Sequence, residues 1–135
     1  MRGRASCAII LNTVIRVKRV YDPPDPADGV RVLVDRVWPR GLKRTELQLD
    51  YWFPEVAPSS PLRKWFGHDP TKWEEFRQRY QKELESEEKK GVLTKLLHWA
   101  KSGSLTLLYS ARDPKHNQAL VLRDFLRQKL ERGNP

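Results

Sequence analysis

Two short apolar runs restrict the fold of this chain more than any other feature. Val30-Arg-Val-Leu-Val34 ends in a continuously apolar stretch, and Ser104-Leu-Thr-Leu-Leu-Tyr109 lies between Gly103 and Asp113-Pro114. Runs of this length that are bounded by turn residues are typical of strands buried on both faces. We therefore expect these two segments to be central strands of one sheet.

The segments around these strands complete an α/β pattern. Val14-Ile-Arg-Val-Lys-Arg-Val20 alternates apolar and basic residues, which predicts a half-buried strand, and the proline-rich stretch 21–29 predicts a loop. The stretch 43–58 could form a short strand or irregular cover. Strands and helices in this order predict an α/β fold with a small, largely parallel sheet flanked by helices.

Four helices are predicted after the second strand. Ser59-Ser60-Pro61 and Asp69-Pro70 are helix-start signals, and Gly67 and Gly91 are expected to end the helices that follow them. The first predicted helix ends at Phe66, and the second runs from Asp69 to about Lys90. The third contains Leu93, Leu96, Leu97 and Ala100, and the fourth runs from Lys115 to about Arg132.

The length of 135 residues is that of one domain. We expect residues 1–13 to be an N-terminal extension and 14–135 to be a single domain. Cys7 is the one cysteine, so an internal disulfide and a cysteine-cluster metal site are excluded. No apolar run approaches the roughly 18 residues needed to cross a bilayer, so we expect a cytoplasmic protein with no membrane partner.

The net charge of +9 is uneven along the chain. Residues 1–50 carry ten Lys/Arg against six Asp/Glu, residues 51–90 carry eight of each, and residues 91–135 carry eight against three. A basic surface formed by the two ends of the chain favours anionic partners such as phosphates, nucleotides or nucleic acid. The alternative is a basic protein without a specific partner.

Polar residues follow both central strands, where parallel α/β sheets commonly bind ligands. Asp35, Ser110 and His116 are the candidate catalytic residues, because a carboxylate, a hydroxyl and an imidazole can transfer protons or attack a substrate. The candidate substrate-binding residues are Arg36, Trp38, Arg40, Arg112 and Asn117.

Each candidate also has a structural interpretation. Asp35 could cap a loop or pair with an arginine, and Ser110 could cap the backbone, because no Gly-x-Ser-x-Gly motif surrounds it. His116 is expected in the first turn of the last helix, whereas His98 is expected to pack. His68 is a loop residue with the same open roles as His116. A metal site is not predicted, because no ligand spacing supports one.

The chain resembles the YeaO-like branch of the uncharacterised family called domain of unknown function 488. The resemblance extends from about Val14 to Leu130 and is most specific at Val34-Asp-Arg-Val-Trp-Pro-Arg-Gly41. Further matching segments are Lys18-Arg-Val-Tyr-Asp22, Asp28-Gly29, Pro58-Ser59, Leu62-Arg-Lys-Trp-Phe66, Phe76-Arg-Gln-Arg-Tyr80 and Thr106-Leu-Leu-Tyr-Ser-Ala-Arg-Asp113.

This resemblance implies a Rossmann-like sheet and no known reaction. The wider family tends to carry a Cys-His-Arg triplet after its last strand. This chain has Lys115-His-Asn-Gln118 at the matching place, so the resemblance gives no support for thiol chemistry.

Two functions remain open at this level, and the sequence identifies no cofactor and no oligomeric state. The first is an enzyme acting on a phosphorylated or nucleotide-like substrate, with Arg36, Arg40 and Arg112 binding the anion. The second is a nucleic-acid-binding module without catalysis, which would use the basic face. The aromatic set of Trp65, Trp73, Phe76 and Tyr80 has helical spacing, which favours the core over base stacking.

Overall fold

Four parallel strands form one sheet in the computed structural model, which describes residues 14–132. They are β1 (Val14–Arg19), β2 (Val30–Leu33), β3 (Tyr51–Trp52) and β4 (Ser104–Tyr109), in the order β1-β4-β2-β3. Because Leu105 pairs with both Ile15 and Val30, β4 lies at the centre. The predicted α/β class and parallel sheet are confirmed, whereas a likeness to a Rossmann sheet stays a prediction. Residues 1–13, including Cys7, lie outside the described part of the chain.

Five helices accompany the strands within residues 14–132. They are α1 (Arg44–Leu47), α2 (Ser60–Phe66), α3 (Trp73–Leu84), α4 (Lys90–Ser102) and α5 (Gln118–Arg132). Ser59 caps α2 and Gly67 ends it with a left-handed backbone, so the predicted α2 is confirmed. The ambiguous stretch 43–58 holds both α1 and the short edge strand β3. None of the described helices is long and apolar enough to span a membrane.

Three predictions about α3 and α4 were wrong: the end of α3, the role of Gly91 and the packing of His98. Gly91 lies inside α4, and the preceding helix already ends at Leu84. A glycine near a helix start costs about 1 kcal/mol, which the burial of Val92 and Leu93 on the same helix offsets. His98 of α4 is exposed and does not pack.

The start of the last helix was also predicted too early. α5 begins at Gln118, so His116 lies before the helix and not in its first turn. The Asn117 side chain accepts a hydrogen bond from the Leu120 amide at 3.3 Å, as an N-cap residue does. The capping residue therefore fixes the start of α5 three residues beyond Lys115.

Both faces of the sheet are covered, as predicted for its central strands. Leu105 and Leu107 of β4 belong to the main core, which α2, α3, α4 and α5 share. Leu108, on the opposite face because side chains alternate along a strand, packs with Val20, Leu33 and Leu47. The second face is covered by the loops after β1 and β2 together with α1.

A buried carboxylate fixes the loop between β1 and β2 to this second face. Asp28 has no exposed surface and accepts hydrogen bonds from Lys18 Nζ at 3.0 Å and from the Arg31 guanidinium. Its own carbonyl accepts from Thr106 Oγ1 at 2.7 Å. Burial by itself raises the pKa of Asp28, but the hydrogen bonds from Lys18, the Asp25 amide and Arg31 outweigh it, so the pKa lies below its usual value.

We predict that Asp28→Asn lowers the free energy of unfolding by about 3 kcal/mol, because it leaves the buried Arg31 without its counter-charge. Urea unfolding followed by tryptophan fluorescence measures this change. Asp124→Asn is the matched control, since the Arg123–Asp124 pair is partly exposed and should contribute less than about 1 kcal/mol. Equal effects of the two substitutions would contradict the role given to Asp28.

The same variant has a predicted pH dependence. Because the folded-state pKa of Asp28 is depressed, its stabilisation is complete above the usual Asp value of 3.8 and is lost as the pH falls through the folded value. The difference in unfolding free energy between the wild type and Asp28→Asn should therefore shrink in acid. A difference that grows in acid would exclude this assignment.

Candidate functional site

The exits of β2 and β4 meet at the carboxyl edge of the sheet. The two strands are hydrogen-bonded neighbours, and the Val34 amide continues the pairing by donating to the Leu108 carbonyl at 3.0 Å. The loops that follow, 34–41 and 110–117, consequently lie side by side. The two polar clusters therefore open on the same edge of the sheet, as expected from the sequence.

Asp35 joins these two loops to α5. Its carboxylate accepts hydrogen bonds from the Ser110 amide at 3.1 Å, from the Ser110 hydroxyl, and from Gln118 Nε2 at 2.5 Å. Burial raises the pKa of Asp35, although the hydrogen bonds from Ser110 and Gln118 and the charge of Arg63 oppose the rise. The structure thus brings two of the candidate catalytic residues into direct contact, each as the partner of the other.

Two arginines hold the main chain around the site. Arg36 donates from Nε to the Pro58 carbonyl at 2.8 Å and from Nη2 to the Ala57 carbonyl at 3.2 Å. Arg19 of β1 binds the Ser110 and Ala111 carbonyls in the same way, each at 3.1 Å. Both guanidinium groups therefore position backbone, and Arg36 is already engaged where a ligand contact was predicted.

His116 pairs with Asp113 beside the same loops. Its Nδ1 lies 2.7 Å from Asp113 Oδ2, and its ring meets the Trp73 ring edge-on at 5.3 Å. The Lys115 amide and His116 keep the pKa of Asp113 below its usual range. Asn117 is buried and uses its amide on the Asp113 carbonyl at 3.0 Å, so its described contacts are to backbone.

The loop after β2 is rigidly packed through its tryptophan. Trp38 donates from Nε1 to the Leu42 carbonyl at 2.7 Å and meets Trp52 edge-on at 5.2 Å. Trp52 in turn donates to the Asp35 carbonyl at 2.8 Å. Gly41 has a φ of 77°, and a Cβ there would meet no atom within 4 Å, so glycine is required here by the backbone conformation.

These loops surround a cavity of about 890 Å³. All eight candidate residues border it: Asp35, Arg36, Trp38, Arg40, Ser110, Arg112, His116 and Asn117. Further lining comes from α2 and the turn after it, through Arg63, Lys64, Phe66 and His68. The constellation predicted from the two strand exits therefore borders one concave site.

Sequence reasoning missed several residues of this site. Arg63 and Lys64 line it from α2, and Gln118 reaches Asp35 from the first residue of α5. The signals were the Leu62-Arg-Lys-Trp-Phe66 segment of the family resemblance and the polar residue next to Asn117. Neither signal shows where these side chains lie unless the arrangement of the helices is known.

The lining of this cavity has more positively than negatively charged side chains. Arg40, Arg63, Lys64 and Arg112 line it with exposed side chains, while Asp35 and Asp113 are the two carboxylates of the lining. Within residues 14–132, no group of three His, Cys, Asp or Glu side chains is placed to hold a metal ion. The lining is therefore suited to an anion.

Comparison with known proteins gives relatives without assigned activities. "Uncharacterized protein YeaO" of Escherichia coli K12 is 50% identical over 113 residues, which are 84% of this chain and 96% of the relative. "Uncharacterized protein Rv3073c" of Mycobacterium tuberculosis H37Rv is 44% identical over 118 residues, or 87% of this chain and 98% of the relative. "Uncharacterized protein Mb3100c" of Mycobacterium bovis gives the same figures. No solved structure shows a significant match to the chain.

A family model matches residues 14–134, and its description is "Inactive DUF488-N3 subclade". This match spans the sheet, the cavity and all five helices. The YeaO-like resemblance drawn from the motifs is confirmed by the relative at 50% identity. The chain therefore belongs to the DUF488 family, in the subclade that carries this description.

Proposed function

We propose that this protein binds a small phosphorylated or nucleotide-like anion in the cavity at the carboxyl edge of its sheet. The observation that carries the proposal is the set of four exposed cations on the lining, Arg40, Arg63, Lys64 and Arg112. Within residues 14–132, none of the four forms an ion pair with a carboxylate of the chain. Their charges are available to a ligand.

The two carboxylates of the lining take their hydrogen bonds from other groups, although the charge of Arg63 acts on Asp35 and opposes the rise that burial gives its pKa. Asp35 is buried and accepts its hydrogen bonds from Ser110 and Gln118, and Asp113 accepts from the Lys115 amide and pairs with His116. The cavity volume of about 890 Å³ is within the range of small-molecule sites, roughly 300–1,000 Å³. Its place beyond the carboxyl ends of parallel strands is where such sheets commonly bind ligands.

Catalysis on the same anion is the second candidate, and the Asp113–His116 pair favours it. A carboxylate that holds an imidazole at 2.7 Å is an arrangement used in general acid–base chemistry. Binding without reaction has more support, because the Ser110 hydroxyl and Asp35 are each other's hydrogen-bond partners. The subclade description "inactive" and the sequence Lys115-His-Asn117 in place of the Cys-His-Arg triplet agree with binding.

Nucleic-acid binding has less support from the geometry. Phe76 and Tyr80 of the aromatic set are buried in the main core, so they offer no stacking surface to bases. A diffuse basic surface would bind oligonucleotides through many weak contacts with a steep dependence on salt. A small anion in the cavity would instead gain most of its binding free energy from the four lining cations.

We predict that Arg63→Gln and Arg112→Gln each weaken the binding of adenosine monophosphate about tenfold. A hydrogen bond to a charged group contributes about 1.5 kcal/mol, which corresponds to this factor. Isothermal titration calorimetry at one fixed salt concentration measures the dissociation constants. Both residues are exposed, so the substitutions should leave the core intact.

Arg127→Gln is the matched control, since Arg127 is exposed on α5 and does not line the cavity. If all three substitutions weaken the binding of adenosine monophosphate equally and the protein binds a 12-nucleotide single strand, nucleic-acid binding is favoured. Chromatography of adenosine monophosphate after incubation with the protein separates binding from catalysis. Unchanged nucleotide is expected, and its conversion would support the catalytic candidate.

A second prediction concerns the pH dependence of Asp35. Because burial raises its folded-state pKa, the carboxyl contributes stability below its usual pKa and loses that contribution as the pH rises through the folded value. The unfolding free energy of the wild type minus that of Asp35→Asn should therefore increase as the pH falls. Urea unfolding at a series of pH values from neutral to about 3 measures it.

The isosteric Asp35→Asn variant keeps an acceptor for Ser110, and its amide can face Gln118 if that side chain turns over. Asp35→Ala removes every acceptor and should cost about 2–4 kcal/mol at neutral pH, because it leaves the Ser110 amide and hydroxyl unpartnered. A pH-independent difference between wild type and Asp35→Asn would show that the burial of Asp35 does not control its protonation.

A further inference from the structure

The cavity has an apolar surface that the binding of an anion alone does not use. Val37, Trp38 and Pro39 border it from the loop after β2, and Phe66 and Phe76 border it from α2 and α3. Val37 is 58% exposed, although its neighbours Trp38 and Pro39 are packed into the fold. An exposed apolar residue is ordinary by itself, but several apolar side chains in one concave site form a binding surface.

The aromatic part of this surface is held in place by the core. The Phe66 and Phe76 rings stack at 4.3 Å with an angle of 20°, and Trp73 stacks on Phe76 at 5.8 Å. Both phenylalanines are largely buried and belong to the main core. Their positions therefore do not depend on a ligand, and the small exposed part of the Phe66 ring adds to the apolar lining that Val37 provides.

A phosphate or sugar phosphate has little apolar surface to place against this lining. Removing apolar surface from water is favourable in proportion to its area, so a ligand group that covers the exposed Val37 side chain must itself be apolar there. We infer that the ligand of this cavity carries a flat apolar or aromatic group directly beside its anionic group. This inference rests on the proposed function, since it places the anion on Arg63 and Arg112.

Cations and apolar residues of the lining lie on the same elements of the chain. Arg63 and Lys64 belong to the same short helix as Phe66, and Arg40 follows Val37 in the same loop. An anionic group joined directly to a ring can therefore contact a cation and an apolar side chain of one element together. A long spacer between the two groups is not needed.

Four probes test this inference on the intact protein by isothermal titration calorimetry: phenyl phosphate, glycerol 3-phosphate, inorganic phosphate and phenol. Phenyl phosphate should bind at least tenfold more tightly than glycerol 3-phosphate. Val37→Ser should weaken phenyl phosphate about fivefold and leave glycerol 3-phosphate unchanged, because it removes apolar contact without changing charge. Val37→Ile, which keeps the apolar side chain, should retain the wild-type affinity.

Each outcome has a separate meaning. Equal affinities for phenyl phosphate and glycerol 3-phosphate would overturn this inference and leave the proposed anion binding in place. Phenol binding as tightly as phenyl phosphate would contradict the proposed anion binding and with it the placement on Arg63 and Arg112. Binding of none of the four probes would overturn both. Thermal unfolding of each variant checks that the fold is kept.

Discussion

The carboxylate of Asp35 is the contact on which the geometry of the candidate site depends. It follows β2, it accepts from the amide and hydroxyl of Ser110 after β4, and it accepts from Gln118 at the start of α5. Three elements that are distant in the chain are thereby fixed within hydrogen-bonding distance of one side chain. The interaction is maintained despite the cost of burial, which raises the pKa of this carboxyl.

Part of the positive charge of the chain is used inside the fold. Lys18 and Arg31 surround the buried Asp28, while Arg19 and Arg36 bind main-chain carbonyls at the edge of the site. Net charge alone is therefore a poor measure of the surface that a ligand meets. The four exposed cations on the lining of the cavity describe that surface more directly.

The sheet could be predicted because its signals are local. Apolar runs bounded by turn residues indicate β2 and β4, and the alternation of β1 follows from having one face on the main core. The position of Asp35 beside Ser110 also follows, because parallel neighbours expose their carboxyl ends at one edge. Gly91 shows the opposite case: a local breaker is overridden when the residues after it gain enough burial.

Other parts of the site depend on contacts that no local pattern contains. The partner of Arg36 is the backbone at Ala57 and Pro58. Every residue has a backbone carbonyl, so the residue types at these positions do not indicate the contact. The buried state of Asp28 depends on Lys18 and Arg31 facing the same side of the sheet. A stretch rich in proline and aspartate looks like a solvent-exposed loop until these partners are placed around it.

The segment that forms one wall of the cavity is held mainly by side chains. The carbonyls of residues 55–58 accept from Lys89, from the Tyr80 hydroxyl at 2.6 Å, and from Arg36. This wall belongs to neither the sheet ladder nor a long helix, so its shape is not tied to the backbone pairing that stabilises the fold. Exchange of one of these three side chains would therefore alter the shape of the cavity while the pairing of the four strands is kept.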